Sequence, residues 1–410
     1  MFDLKKLTSF DWVMVGFILH ALGGMFFDTS KALCYLLCGV GLIIIFYNAV
    51  FQMQFQKPFN GIMLVIFILF LVWTAVILIR PFVSRETFSS DGYSLINRYT
   101  WLSFITPLIV FLGFGQVTLS SVFKFTFVQG IIGIVLLILN YKQIFQANED
   151  IDVEDYQTYI GVIYIPLQYL FASSFMILCS EFLSVKYRVM AYFTMFTCVF
   201  LALYSARRGN LFMYLLIVLF AFILNIAASK GASKLLKLGI VAVTITFAVL
   251  LFNVYAGSTF ALFLARLEED TRTGVEEYFY YSFQGESLDW LIGRGLNGTY
   301  YCPIFDMSSV NRGMIETGYL HLILKGGILY LGLFCFLVLH SAYLGLFRSN
   351  NIMTKGMAFY LVAHIIFLLP FGLPAFNFEY IVLWICVLYC QSKEFRMCSN
   401  TEIKLHLAYN

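Results

Sequence analysis

The amino-acid sequence predicts an all-α integral membrane protein of about twelve transmembrane helices with one large extracytoplasmic loop. Three observations carry that expectation. Hydrophobic residues make up 61% of the chain and charged residues only 12%, with a mean hydropathy of +0.84; a soluble domain carries about 25% charged residues. Apolar runs of about 16 to 23 residues recur along the chain, the length a helix needs to cross roughly 30 Å of hydrocarbon. They do not alternate as the short strands of a membrane barrel would. Finally, one stretch alone interrupts the apolar pattern at length, Gly257 to Gly318.

In order, the expected spans are 11–27, 32–51, 61–79, 101–119, 122–140, 162–179, 189–204, 211–228, 238–256, 319–346, 357–372 and 376–390, within a single polytopic domain over 1–410. The first is interrupted by His20 and Gly23-Gly24. The apolar run after Lys6 has no small-residue cleavage site and reads as a span, not a signal peptide. Of the nine cysteines, only Cys302 falls in the long loop, so no disulfide framework is expected. A net charge of +3 gives no reason to expect nucleic acid.

Basic residues set the orientation. With a cytoplasmic N-terminus, fourteen of the 26 lysines and arginines lie inside with five acids, a net +9 against −6 outside. The positive-inside rule then places both termini in the cytoplasm and the 257–318 loop outside. Arg207 and Arg208 break the pattern, standing as a pair in a short outer connection. Such a pair can snorkel to headgroups, but a chain that sorts its positive charge inward has reason to keep two outside only if they bind something. The acidic connection 141–160 lacks the glycine of a calcium loop and reads as a solvated segment.

Inside the long loop, Phe260, Phe263, Leu264 and Leu267 have helical spacing. Asp270-Thr271 can cap a second helix through Val275, Tyr278, Phe279 and Ser282. An outer helix with an aromatic face can lie in the membrane interface or simply roof a cavity. Gly293-Arg294-Gly295-Leu296-Asn297-Gly298 spells G-x-G-x-x-G without the strand and helix of a dinucleotide site. It reads as backbone that bends sharply or approaches a ligand closely. Glu316 then precedes a span whose outer half contains His321 and Lys325, four apart and on one face. A charge near the bilayer centre costs about 2.5–3.5 kcal/mol on insertion scales, so Lys325 needs a polar partner or cavity. Together with Arg266, Arg272, Arg294 and Arg312, these groups suggest an anion site next to a proton acceptor.

At these residues the chain resembles the O-antigen polymerase and ligase superfamily, the Wzy-type polymerases in particular. The resemblance rests on span count, one large outer loop before the last three spans, and motif order. Arg208-Gly209, Arg272, the Gly293–Gly298 turn, and Glu316-Thr317-Gly318-Tyr319-Leu320 with Gly327 match the family's motifs in sequence. Glu316 stands where the family often has histidine, and His321 lies five residues later. The resemblance implies a GT-C-like fold in the cytoplasmic membrane and a glycosyltransferase using an undecaprenyl-diphosphate-linked glycan donor and acceptor, without metal or other cofactor. It also implies a bilayer setting, and a chain-length regulator and a flippase as companions. Arg207, Arg208, Arg272, Arg294, Arg312 and Lys325 would then bind the diphosphate, since guanidinium groups hold phosphate oxygens in pairs and keep their charge. Glu316 or His321 would take the acceptor's proton, and Tyr300, Tyr301 and Tyr319 would stack on sugars. A ligase of the same superfamily, a lipid-linked oligosaccharide flippase, and a structural subunit whose loop docks a partner are the alternatives.

Overall fold

A computed structural model describes residues 7–27, 29–83, 96–113, 115–146, 163–164, 166–205, 207–228, 273–304 and 310–409. In chain order its helices are α1 (Ser9–Met25), α2 (Lys31–Tyr47), α3 (Ile62–Val83), α4 (Trp101–Ile105), α5 (Leu119–Leu139), α6 (Tyr141–Gln146), α7 (Ser174–Leu178), α8 (Val185–Tyr204) and α9 (Arg208–Ala228). After the long loop's first half come α10 (Thr273–Ser282), α11 (Ser287–Ile292), the two-residue strands β1 (Tyr300–Tyr301) and β2 (Asn311–Arg312), and α12 (Gly318–Phe347). The chain closes with α13 (Ile352–Phe367), α14 (Phe378–Gln391), α15 (Lys393–Met397) and α16 (Asn400–Tyr409).

The all-α expectation holds, with 77% of the structure helical and the β1–β2 pair the sole sheet among the described residues. Six helices there are long and apolar enough to cross a bilayer: Lys31–Gln52, Ile62–Phe82, Leu119–Leu139, Val185–Tyr204, Arg208–Ala227 and Gly318–Phe347. Several other expected spans are shorter apolar helices, Ser9–Met25, Trp101–Leu112, Pro166–Leu178, Ile352–Phe367 and Phe378–Gln391. The expected span 238–256 and the helix around Phe260 lie outside the described residues. Ile43 on α2 and Ile62 on α3, 69% and 74% exposed, turn large apolar side chains outward. In water that would be a liability; in hydrocarbon it costs nothing.

Two compact units divide the chain, the first being Met1–Ser121, Thr271–Arg348 and Leu361–Arg396. In it, α1 opens with a capping box between Thr8 and Asp11, which satisfies two otherwise orphaned backbone donors. Two glycines of α1 lie on its contact surface: a Cβ on Gly16 would sit 2.7 Å from the Gly41 carbonyl, and one on Gly23 2.6 Å from Cys38 Sγ, while Gly24 faces open space. Small residues let helix backbones approach where apolar lipid provides no driving force for side-chain burial. The expected span 101–119 is instead broken, with α4 passing into a 3₁₀ segment, Thr106–Leu112, that has Pro107 in its first turn and stops at Gly113. Proline removes the donor an α-helix would need there.

The second unit comprises Val122–Asp270, Ser349–Tyr360 and Met397–Asn410. Ser173 Oγ bonds the Leu170 carbonyl at 2.6 Å and also meets Thr194 Oγ1 on α8. Stacking of Phe171 with Tyr214 (4.9 Å) and of Phe220 with Phe359 (4.6 Å) fills its core. Asn351 caps α13 through Thr354 N at 2.7 Å, and Asn400 Oδ1 receives Ile352 N at 2.8 Å.

Candidate functional site

The described half of the long loop folds against α12 within the first unit. Phe279 of α10 and Phe283 just after it are wholly buried with Tyr300, Cys302, Ile315, Leu320 and Leu324. Burying each phenylalanine is worth about 1.5–3 kcal/mol. Phe279 of α10 is thus consumed by a protein core.

The glycine turn lies on a kink of α12. Gly327 has φ 70° and ψ −177° inside the helix, a conformation open to glycine and strained for other residues. Its Cβ would fall 2.1 Å from the Leu291 carbonyl oxygen, and a Cβ on Gly293 would meet Gly326 N at 2.5 Å. Arg294 N and Gly295 N donate to the Leu324 and Lys325 carbonyls at 2.7 and 3.0 Å. These carbonyls are left over where the kink interrupts the helix ladder. On the neighbouring helix, Trp73 Nε1 donates to the Gly326 carbonyl at 2.8 Å and Arg80 Nη1 to the Gly293 carbonyl. Of the two readings open for this turn, a sharp bend and a close approach to a ligand, the bend is seen, and what the backbone approaches is α12.

Two expected anion ligands are engaged in that turn. Arg294 donates from Nε to Asp289 Oδ2 (2.6 Å), from Nη1 to Ser282 Oγ (2.9 Å) and the Thr299 carbonyl (2.8 Å), and from Nη2 to the Ser282 carbonyl (2.7 Å). Four of its five donors are occupied, and its guanidinium carbon lies 4.3 Å from the centre of the Phe283 ring. Lys325 is buried, and its Nζ donates to the Leu296 and Gly298 carbonyls at 2.8 and 2.9 Å. The polar partner that its depth demanded is the glycine turn itself.

The head of α12 is different. Glu316 is exposed, one residue before Thr317, whose hydroxyl donates to Glu276 Oε1 on α10. Tyr280 and Tyr319 meet through their hydroxyls at 3.2 Å. Gly318 N donates to the Phe371 carbonyl at 3.0 Å, tying the head to the turn before α14. His321 is buried, and its Nδ1 has no hydrogen-bond partner. Arg312 pairs with Tyr300 across the β1–β2 ladder. Burial pushes the Tyr300 phenol up to about 12 against the opposing pull of Arg312, with Cys302 and Glu316 adding to the rise.

The candidate residues therefore divide. Glu316, His321, Lys325, Arg294 and Arg312 share the first unit, while Arg207 and Arg208 belong to the second. There the Arg207 guanidinium carbon lies 5.5 Å from the centre of the Tyr164 ring, and its buried Nη2 has no hydrogen-bond partner. Arg208 begins α9. Arg266 and Arg272 lie outside the described residues. Tyr300 is 1% exposed and cannot stack on a sugar, whereas Tyr301 is 44% exposed.

Sequence reasoning missed Glu276 and Tyr280. It also missed His364 Nε2, which meets Glu379 Oε1 at 2.9 Å in the first unit. Glu276 and Tyr280 are four apart on α10, so their shared face was legible, but their partner segment was not.

Fold and site together define a helical chain built for a membrane, with a folded polar cap on one of its helices. Compared with protein-family models, curated proteins and solved structures, it matches none.

Proposed function

We propose that this chain is a polysaccharide polymerase joining undecaprenyl-diphosphate-linked repeat units on the outer face of the cytoplasmic membrane. The observation that carries the reading is the exposed Glu316 carboxylate two residues before α12, next to a Thr317 that is bonded to Glu276. The motif order described above supports the same class, and the six long apolar helices supply the setting for a lipid substrate. Outer placement rests on the charge split between the two sides.

In this reaction an acceptor sugar hydroxyl attacks the donor's anomeric carbon. A new glycosidic C–O bond forms as the bond to the diphosphate oxygen breaks, and the lipid diphosphate leaves with that electron pair. In-line attack inverts the anomeric centre. Glu316 takes the hydroxyl proton during attack, and arginines stabilise the departing diphosphate. Arg272 and Arg312 are assigned that task; the donors of Arg294 and Lys325 are engaged at the glycine turn. The burial of His321 weighs against it as the base.

The test is polymer formation from purified lipid-linked repeat units by the full chain. Glu316→Gln preserves shape at an exposed position and is expected to slow the reaction by at least about 10²-fold, with unchanged folding. His321→Gln is expected to cost less. An inactive His321→Gln beside an active Glu316→Gln would transfer the base role to His321. Single lipid-linked repeat units accumulating in a deletion strain distinguish a polymerase from a ligase, whose loss leaves finished polymer on lipid.

A further inference from the structure

While α10 buries Phe279, it turns Tyr280 and Tyr281 outward, 43% and 71% exposed. The Tyr280 ring is not loose. It stacks on Trp290 with centroids 6.1 Å apart and planes 19° apart, and its hydroxyl is bonded to that of Tyr319 at 3.2 Å. One turn earlier on the same face stands the Glu276 carboxylate, held by Thr317. Tyr278 packs edge-on against the half-exposed Tyr301 at 6.0 Å. The result is a fixed aromatic surface with phenol and carboxylate oxygens at its edge.

Its charge narrows the partner. Residues 273–292 contain four carboxylates (Glu276, Glu277, Glu286 and Asp289) and no lysine or arginine. Asp289 is paired with Arg294, which leaves Glu276, Glu277 and Glu286 to weigh against a diphosphate or an anionic headgroup on this face. A sugar ring fits it: the C–H face of a pyranose lies on an aromatic ring, and its hydroxyls or an amino group donate to carboxylate and phenol oxygens. We infer that Tyr280, with Trp290 behind it and Glu276 beside it, forms a binding subsite for a neutral or amino sugar of the glycan, apart from its diphosphate. This rests on the glycosyltransferase reading for its purpose, though not for its chemistry.

The experiment uses the full chain in lipid nanodiscs and an immobilised panel of lipid-free bacterial surface oligosaccharides. Wild type is expected to retain at least one of them, and Tyr280→Ala to weaken that binding about tenfold or more. Tyr280→Phe, which keeps the ring but loses the phenol oxygen, is expected to bind more weakly than wild type and more tightly than Tyr280→Ala. Inorganic diphosphate is expected not to compete. No glycan retained by wild type, or equal retention by Tyr280→Ala, would overturn the subsite. So would quenching by brominated lipid of the fluorescence that Trp290→Phe removes, since the rings would then lie in the bilayer. Polymer formation without glycan retention removes the subsite alone. Glycan retention lost in Tyr280→Ala, with no transferase activity in wild type, keeps the subsite and removes the polymerase.

Discussion

The glycine turn packs on the kink of α12 and the head lies at the start of the same helix, and the two differ in what their polar groups are committed to. At the turn, an arginine and a lysine spend their donors on carbonyls and on Asp289, and glycine backbones meet at distances no side chain could share. At the head, a carboxylate and tyrosine rings are held in place with exposed surface to spare. A charged residue in a membrane protein is thus no guide to function until its partners are known. Lys325 and Arg294 are committed to the turn, and Glu316 is exposed.

The contrast is broken most severely at the kink. Gly327→Ala puts a methyl group 2.1 Å from a backbone oxygen at a φ of 70°, which costs on the order of 3 kcal/mol or more. The expected outcome is a large fall in the yield of folded chain and in its melting temperature in detergent. A variant that melts like wild type would show that the turn and kink are not locked together.

Arg294→Lys sharpens the comparison at a smaller scale. Lysine keeps the charge but cannot reach Asp289, Ser282 and Thr299 together, so a loss of about 1–3 kcal/mol is expected. Activity should fall only as far as the folded fraction falls. Normal stability with lost activity would return Arg294 to the diphosphate.

The smallest effect is expected at Tyr300. Its hydroxyl donates to the Met314 carbonyl at 3.5 Å, the limit of a useful bond, so Tyr300→Phe should cost below about 1 kcal/mol at neutral pH. Its phenol is raised from 10 to about 12, so the folded state favours the neutral form. That contribution is complete below pH 10 and is lost as the pH climbs towards about 12. Melting curves of wild type and Tyr300→Phe should therefore converge in alkali, and a constant gap would mean that the phenol is solvated.

What the sequence determined by itself was the class of fold and the places where it must be interrupted. Helix length follows from bilayer thickness, so α2, α3, α5, α8, α9 and α12 were legible from apolar runs alone. The penalty on a buried charge likewise required Lys325 to have a polar partner. Amphipathic spacing located α10, and glycine spacing marked a bend at 293–298. The sequence could not say which partner each polar group would take. Lys325 reaches back to Leu296 and Gly298, Arg80 crosses to Gly293, and Glu276 meets Thr317. These pairs are tens to hundreds of residues apart in some cases and carry no periodicity. Periodicity reports which face of a helix is apolar; it does not report what that face meets. Tertiary structure therefore decided that Arg294 and Lys325 are engaged, that Tyr300 is buried while Tyr301 is not, and that Glu316 remains exposed. The physical reason is that hydrogen-bond donors are satisfied by proximity in space, which chain folding alone creates.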